Sequence, residues 1–119
     1  MKQFNINKTE TITDEEVNDL LTTAFEGGIN YWCCEVKINT NPHDVKYASE
    51  VISNGGTLDI EEDETGETKE LNLTNMLKGI VLGMEWAEVD NVQDLMDGYD
   101  AETADVIVQY ALYGEIVYG

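Results

Sequence analysis

The apolar positions of this chain follow two spacings. In QFNINK, Phe4 and Ile6 alternate with polar residues, so residues 3–8 read as a short, half-exposed strand. TITDEE then opens a helix. Thr13 is placed as its N-cap, Glu16 completes a capping box, and Asp14 and Glu15 suit the positive helix end. Val17, Leu20, Leu21, Ala24 and Phe25 repeat on one helical face, and Gly27 and Gly28 are expected to end the helix. INYWCCEVKI returns to alternation. It reads as a strand with Trp32, Cys34, Val36 and Ile38 on the core face and Tyr31, Cys33, Glu35 and Lys37 on the other.

Asn39 to Pro42 make a turn, and Val45, Ala48, Val51 and Ile52 suggest a short helix closed by Asn54-Gly55-Gly56. Residues 57–73 read as a hairpin around DETG, with Leu58, Ile60, Leu71 and Leu73 in alternating positions. Thr74 is placed as cap of a helix whose buried stripe is Leu77, Ile80, Val81 and Met84. Asp90 to Gly98 reads as acidic and irregular. Asp100 caps a last helix with Ala104, Ile107, Val108, Ala111 and Leu112 on one face. Val106, Tyr110 and Tyr113 add a second apolar side, leaving Glu102, Asp105 and Gln109 as a polar strip. A helix apolar nearly all round is central or at an interface. Val106, Tyr110 and Tyr113 are the residues that would meet a second copy, which admits a homo-oligomer. Gly114 stops the helix, and EIVYG reads as a final strand.

Three times a helix ends at glycine and a strand follows, in FEGG-INYW, SNGG-TLDI and LYG-EIVY, with no fixed period. The expectation is a single α+β domain over residues 1–119. Its sheet would be small, antiparallel or mixed, of about four or five strands packed with three or four helices.

Charge changes the picture more than the remaining composition. Among 119 residues there are 25 Asp plus Glu against six Lys and no Arg, a net charge of −19. No cationic groove for DNA, RNA or an anionic membrane is available, so direct nucleic-acid binding and membrane binding are not expected. A bound nucleotide would need backbone amides, a metal or those few lysines. No signal-peptide pattern occurs at MKQFNINKTE, no apolar run reaches membrane-spanning length, and two adjacent cysteines are no disulfide framework. A cytoplasmic setting is the expectation.

Candidate chemistry is thin. Cys33 and Cys34 with the distant His43 fall short of a zinc ligand set, and nothing in their spacing requires a thiol–imidazole pair. Burial in a strand is the better reading of these cysteines. IEEDETGETKE departs from a calcium loop at its first, fifth and twelfth positions, where Glu61, Thr65 and Asn72 stand. A charged hairpin is favoured over a metal site. The glycine pairs run from helix into strand, opposite to a phosphate cradle, and Trp32 and Trp86 lack cationic surroundings for stacking a base. With no nucleophile–base–orienter set, neither an enzyme nor a cofactor or metal is expected.

The acidic excess itself is the remaining signal. Asp14, Glu15 and Asp19 lie on the first helix, Asp59, Glu61, Glu62, Asp63, Glu64 and Glu67 in the hairpin, and Asp94, Asp97 and Asp100 near the last helix. These form the candidate partner-binding surface. In one reading spaced carboxylates imitate nucleic-acid phosphates and occupy a basic nucleic-acid-binding protein. In the other the charge serves only solubility or adaptation to high salt, and function sits in an apolar pocket or interface. The segments ITDEEVNDLLTTAFEGGINYWCCEV, YASEVISNGGTL and TADVIVQYALYGEIVYG resemble segments of small uncharacterised bacteriophage and prophage proteins. The resemblance implies a setting, an infected bacterial host cell, and a class: inhibitors of host defence, including anti-CRISPR and anti-restriction proteins, several of which mimic DNA. It assigns no functional residue. The alternative of a different class is a small-ligand or nucleotide-sequestering module, from which the absence of Arg is a departure.

Overall fold

Thr13 and Glu16 form the capping box their spacing dictates. In the computed structural model, which describes all of Met1–Gly119, Thr13 Oγ1 accepts from the Glu16 N–H at 3.1 Å. Glu16 Oε1 accepts from the Thr13 N–H at 2.9 Å. Helix α1 (Asp14–Thr23) starts there and buries Val17, Leu20 and Leu21. The strand expected over residues 3–8 is shorter, β1 (Gln3–Asn5), and pairs antiparallel with β2 (Thr11–Thr13), a partner the sequence pattern concealed within the helix cap.

Gly27 and Gly28 do not stop α1. The chain widens into a π-helical turn over Ala24–Gly28, and neither glycine adopts a left-handed conformation. Gly28 serves close approach instead: a Cβ there would stand 2.7 Å from the Ala101 carbonyl oxygen. Gly55 and Gly114, with φ of 84° and 74°, do act as the left-handed helix caps the pattern suggests.

The main sheet runs β3 (Cys33–Thr40), β4 (Thr57–Glu62), β5 (Thr68–Leu71), antiparallel throughout. With β1 and β2 this makes five strands in two antiparallel sheets, and the α+β expectation holds. The core face of β3 differs from simple alternation. Cys33 pairs with Glu62 and Glu35 with Glu61, so Cys34 is the extra residue of a β-bulge. Trp32 and Cys33 are therefore both buried, while Cys34 and Ile38 are exposed.

Between β3 and β4 lies α2 (Ala48–Val51), continued by a 3₁₀ turn over Ile52–Asn54. Helix α3 (Leu73–Trp86) is capped by Asn72, not Thr74, and buries Met76, Gly79, Ile80, Gly83 and Met84. Its buried stripe is shifted from the expected one because two glycines let the final helix approach closely, leaving Leu77 and Val81 half-buried. The segment read as irregular contains α4 (Val92–Gly98), capped by Asn91. Helix α5 (Ala101–Tyr113) packs chiefly on α3 and the π turn, with α1 and β5 also in contact. That central position explains its apolar circumference. Residues 115–119 form no strand; they return along α5 as a tail without regular secondary structure.

Candidate functional site

The outer face of the three-stranded sheet is acidic by register. Glu35 stands opposite Glu61, Lys37 opposite Asp59, and Asp59 opposite Glu70. Same-face residues recur every ~6.8 Å along a strand and strands lie ~4.8 Å apart, so these carboxylates form short rows. The face continues into the exposed hairpin tip, where Asp63, Glu64 and Glu67 surround Gly66 at φ 69°. Against this stands one ion pair, Lys37 Nζ to Glu35 Oε2 at 3.6 Å.

The expected acidic residues do not all join this surface. Asp14, Glu15 and Asp19 lie on α1, with Asp14 half-buried at its start. Asp94 is in α4, Asp97 accepts from Gln93 at 2.7 Å, and Asp100 is the α5 cap. The backbone N–H and hydroxyl of Thr103 hold the Asp100 carboxyl below its ordinary pKa. Glu62 leaves the surface altogether. Only 4% exposed, it points inward from β4 and accepts from Tyr113 Oη at 2.5 Å, Tyr118 Oη at 2.8 Å and Thr65 Oγ1 at 2.9 Å. The Tyr113 hydrogen bond leads in lowering its pKa.

A second buried carboxylate belongs to the polar strip of α5. Asp105, 6% exposed, accepts from Trp32 Nε1 at 2.7 Å and Gln109 Nε2 at 2.9 Å on one oxygen, and from Tyr31 Oη at 2.6 Å on the other. Gln109 Nε2 also donates to the Tyr118 carbonyl, while its Oε1 accepts from the Val117 and Tyr118 N–H groups at 2.8 Å each. The tail is thereby fastened to α5. Burial, then the Asp105 hydrogen bond, push the Tyr31 phenol up to about 12. The Glu62 hydrogen bond pushes Tyr118 up to about 12, and burial raises Tyr113 as well.

Beside Asp105 opens a pocket of about 500 Å³, bordered by the π turn, the first turns of α5, the end of α3 and the tail. Its aromatic lining is Tyr31, Trp86 and Tyr118, its carboxylates are Glu102 and Asp105, and no lysine lines it. Tyr31 and Trp86 are 55% and 38% exposed, so their ring surfaces are available to a ligand.

The oligomer interface expected from Val106, Tyr110 and Tyr113 is reassigned in part. Val106 is 4% exposed beneath the pocket, and Tyr113 bonds Glu62 and packs edge-on against Trp32. Much of their surface is used within the chain, because α5 is central; Tyr110 and Tyr113 are both left half-buried. Cys34 is exposed, and its Sγ donates to Glu61 Oε2 at 2.9 Å, a bond that leads in pushing the thiol up to about 11. Burial raises Cys33 too. Neither is an activated nucleophile. No group of three His, Cys, Asp or Glu side chains is arranged to hold a metal ion. No helix is long and apolar enough to cross a membrane.

Sequence reasoning placed none of Tyr31, Trp86, Glu102, Asp105 and Tyr118 in one site. The usable signal was Asp105 and Gln109 four residues apart on an otherwise apolar helix, a pattern that calls for buried hydrogen-bond partners. No family model, curated protein or solved structure matches this chain.

Proposed function

We propose that the protein is a non-enzymatic, phage-type inhibitor of host defence that acts by binding. Its acidic sheet face and hairpin tip would occupy the cationic nucleic-acid channel of a basic host protein. The observation that supports this reading most is the register of β3, β4 and β5. It sets Glu35, Asp59, Glu61 and Glu70 side by side on an outward face relieved by Lys37 alone. Like charges placed directly opposite one another destabilise a sheet, so the arrangement is costly for the fold and suits an external cation.

The nucleotide-sequestering alternative is less well supported, because the pocket beside Asp105 offers carboxylates and no lysine to a phosphate. Affinity capture from a bacterial lysate with the full chain is the test. Nucleic-acid-handling proteins retained at low salt, released at high salt, and blocked from their nucleic acid by the added chain are the expected result. Absence of such a protein, or a captured one that still binds nucleic acid normally, overturns the reading.

A further inference from the structure

The pocket beside Asp105 is unlike the rest of the acidic surface. It is concave, walled by three aromatic rings, and floored by a carboxylate that is more than nine-tenths buried. Asp105 is matched by three neutral donors and by no cation. A carboxylate offers about four acceptor sites, so one stays open on the oxygen that holds Tyr31 Oη. Glu102, one turn earlier on the same helix, adds a second negative charge at the rim.

Two helix ends meet here. The N-terminus of α5 favours an anion, but it is already engaged by Asp100 and faced by Glu102. The glycine end of the π turn carries the opposite, cation-favouring polarity. The dipoles offset each other, and the two carboxylates decide the sign.

Aromatic faces beside carboxylates, without a competing lysine, form the surroundings of a cation–π and charge-assisted site. A planar guanidinium fits them better than a compact ammonium, since it can lie on a ring while donating from its edge to a carboxylate. We propose that this pocket is a socket for an arginine side chain carried by the partner protein. The inference rests on the proposed function and names what the partner must present: an arginine projecting beside its cationic channel.

The test is an NMR titration of the intact chain with N-acetyl-arginine amide, followed on the indole N–H signals of Trp32 and Trp86. It is run at ~0.3 M salt, where general attraction is screened. A saturable shift of the Trp86 signal is expected; in Trp86→Phe or Trp86→Ala the titration is followed on the remaining Trp32 signal, and the affinity should fall about two- to fivefold. Glu102→Gln should weaken it similarly. Both sites are exposed, so these variants keep the fold. The capped lysine analogue should bind more weakly and inorganic phosphate not at all. No saturable shift, equal affinity in the Trp86 and Glu102 variants, a phosphate response, or tighter binding of free arginine than of the capped form each overturns the socket. Probe binding without any captured partner overturns the proposed function alone; a captured partner without probe binding overturns the socket alone.

Discussion

Trp32 and Tyr118 stack with ring centroids 5.2 Å apart and planes 4° from parallel. The pair joins the two buried carboxylates: Trp32 Nε1 donates to Asp105, and Tyr118 Oη donates to Glu62. A chain with six cationic side chains has thus placed two anions inside and satisfied them with hydroxyl, indole and amide donors. Buried anions without a counter-ion depend on every such donor, because the low local dielectric raises the cost of each one lost.

Trp32→Phe should therefore destabilise beyond its change in volume. It keeps a ring against Tyr118 but leaves Asp105 one donor short, a loss of about 1–3 kcal/mol. Tyr118→Phe, which keeps the stack and removes one donor from Glu62, should cost about 1 kcal/mol. Urea unfolding measures both, as a lower midpoint at unchanged slope.

Acid and alkali should act on the same centre from opposite sides. Glu62 has a depressed folded pKa, so its contribution is present above the ordinary glutamate value of about 4.3 and is lost as pH falls through the folded value. The stability gap between the parent chain and Glu62→Gln should be full at neutral pH and shrink in acid. Tyr31 and Tyr118 are raised to about 12, so what they contribute is present below their ordinary value of about 10 and lost as pH climbs further. Phenolate absorbance subtracted by Tyr31→Phe or Tyr118→Phe should develop only near that higher value.

Cys34 offers a chemical readout of the acidic sheet. With its thiol pushed up to about 11 by Glu61, alkylation at mildly alkaline pH should be slow despite exposure. Glu61→Gln should accelerate it by about tenfold or more, since the thiolate is the reacting form. Measured in a Cys33→Ser background, an unchanged rate would mean that the Sγ–Glu61 bond does not form in solution.

Gly28→Ala separates two reasons for a glycine. Gly28 has no positive φ, so alanine there meets none of the left-handed strain of a helix-stop glycine. Because its Cβ would meet the Ala101 carbonyl at 2.7 Å, alanine must push the π turn away from α5. A loss of about 1–3 kcal/mol is expected. Gly27→Ala, with nothing within 4 Å, is the comparison and should be near neutral.

The parts of this fold that were legible in the sequence are those set by local rules. The Thr13–Glu16 box, the Asp100 cap, the DETG hairpin and the caps at Gly55 and Gly114 depend on residues within a few positions of each other. Two misreadings were local, the Asn72 cap taken for Thr74 and the Asn91 cap of α4 passed over; the others came from distant partners. The bulge at Cys34 is set by pairing with β4, the shifted stripe of α3 by the approach of α5, and the unstranded tail by the Gln109 side chain. The acidic face was legible as alternation in TLDIEE, but the inward turn of Glu62 was not, since its partners Tyr113 and Tyr118 lie more than fifty residues away. The pocket needed four separated segments and left no local signal beyond Asp105 and Gln109.

Neutralising the sheet face should separate function from solubility. Glu35 and Glu61 oppose each other directly, as do Asp59 and Glu70, and each like-charged pair costs about 0.2–1 kcal/mol. The combined variant Asp59→Asn, Glu61→Gln, Glu70→Gln should therefore be more stable than the parent, and less dependent on added salt, because part of the self-repulsion of a −19 chain is gone. If the rows of carboxylates are there for a cationic partner, the same variant should retain less of that partner, with a shallower salt dependence. Neutralising Asp94 and Asp97 on α4, an equal kind of change away from the sheet, should leave retention nearly intact. Melting temperature and partner retention, measured together across a salt series, give the answer. Equal retention loss from both sets of changes would make the charge a diffuse property of the surface, and stability rising with no retention loss would remove the sheet face from the binding site.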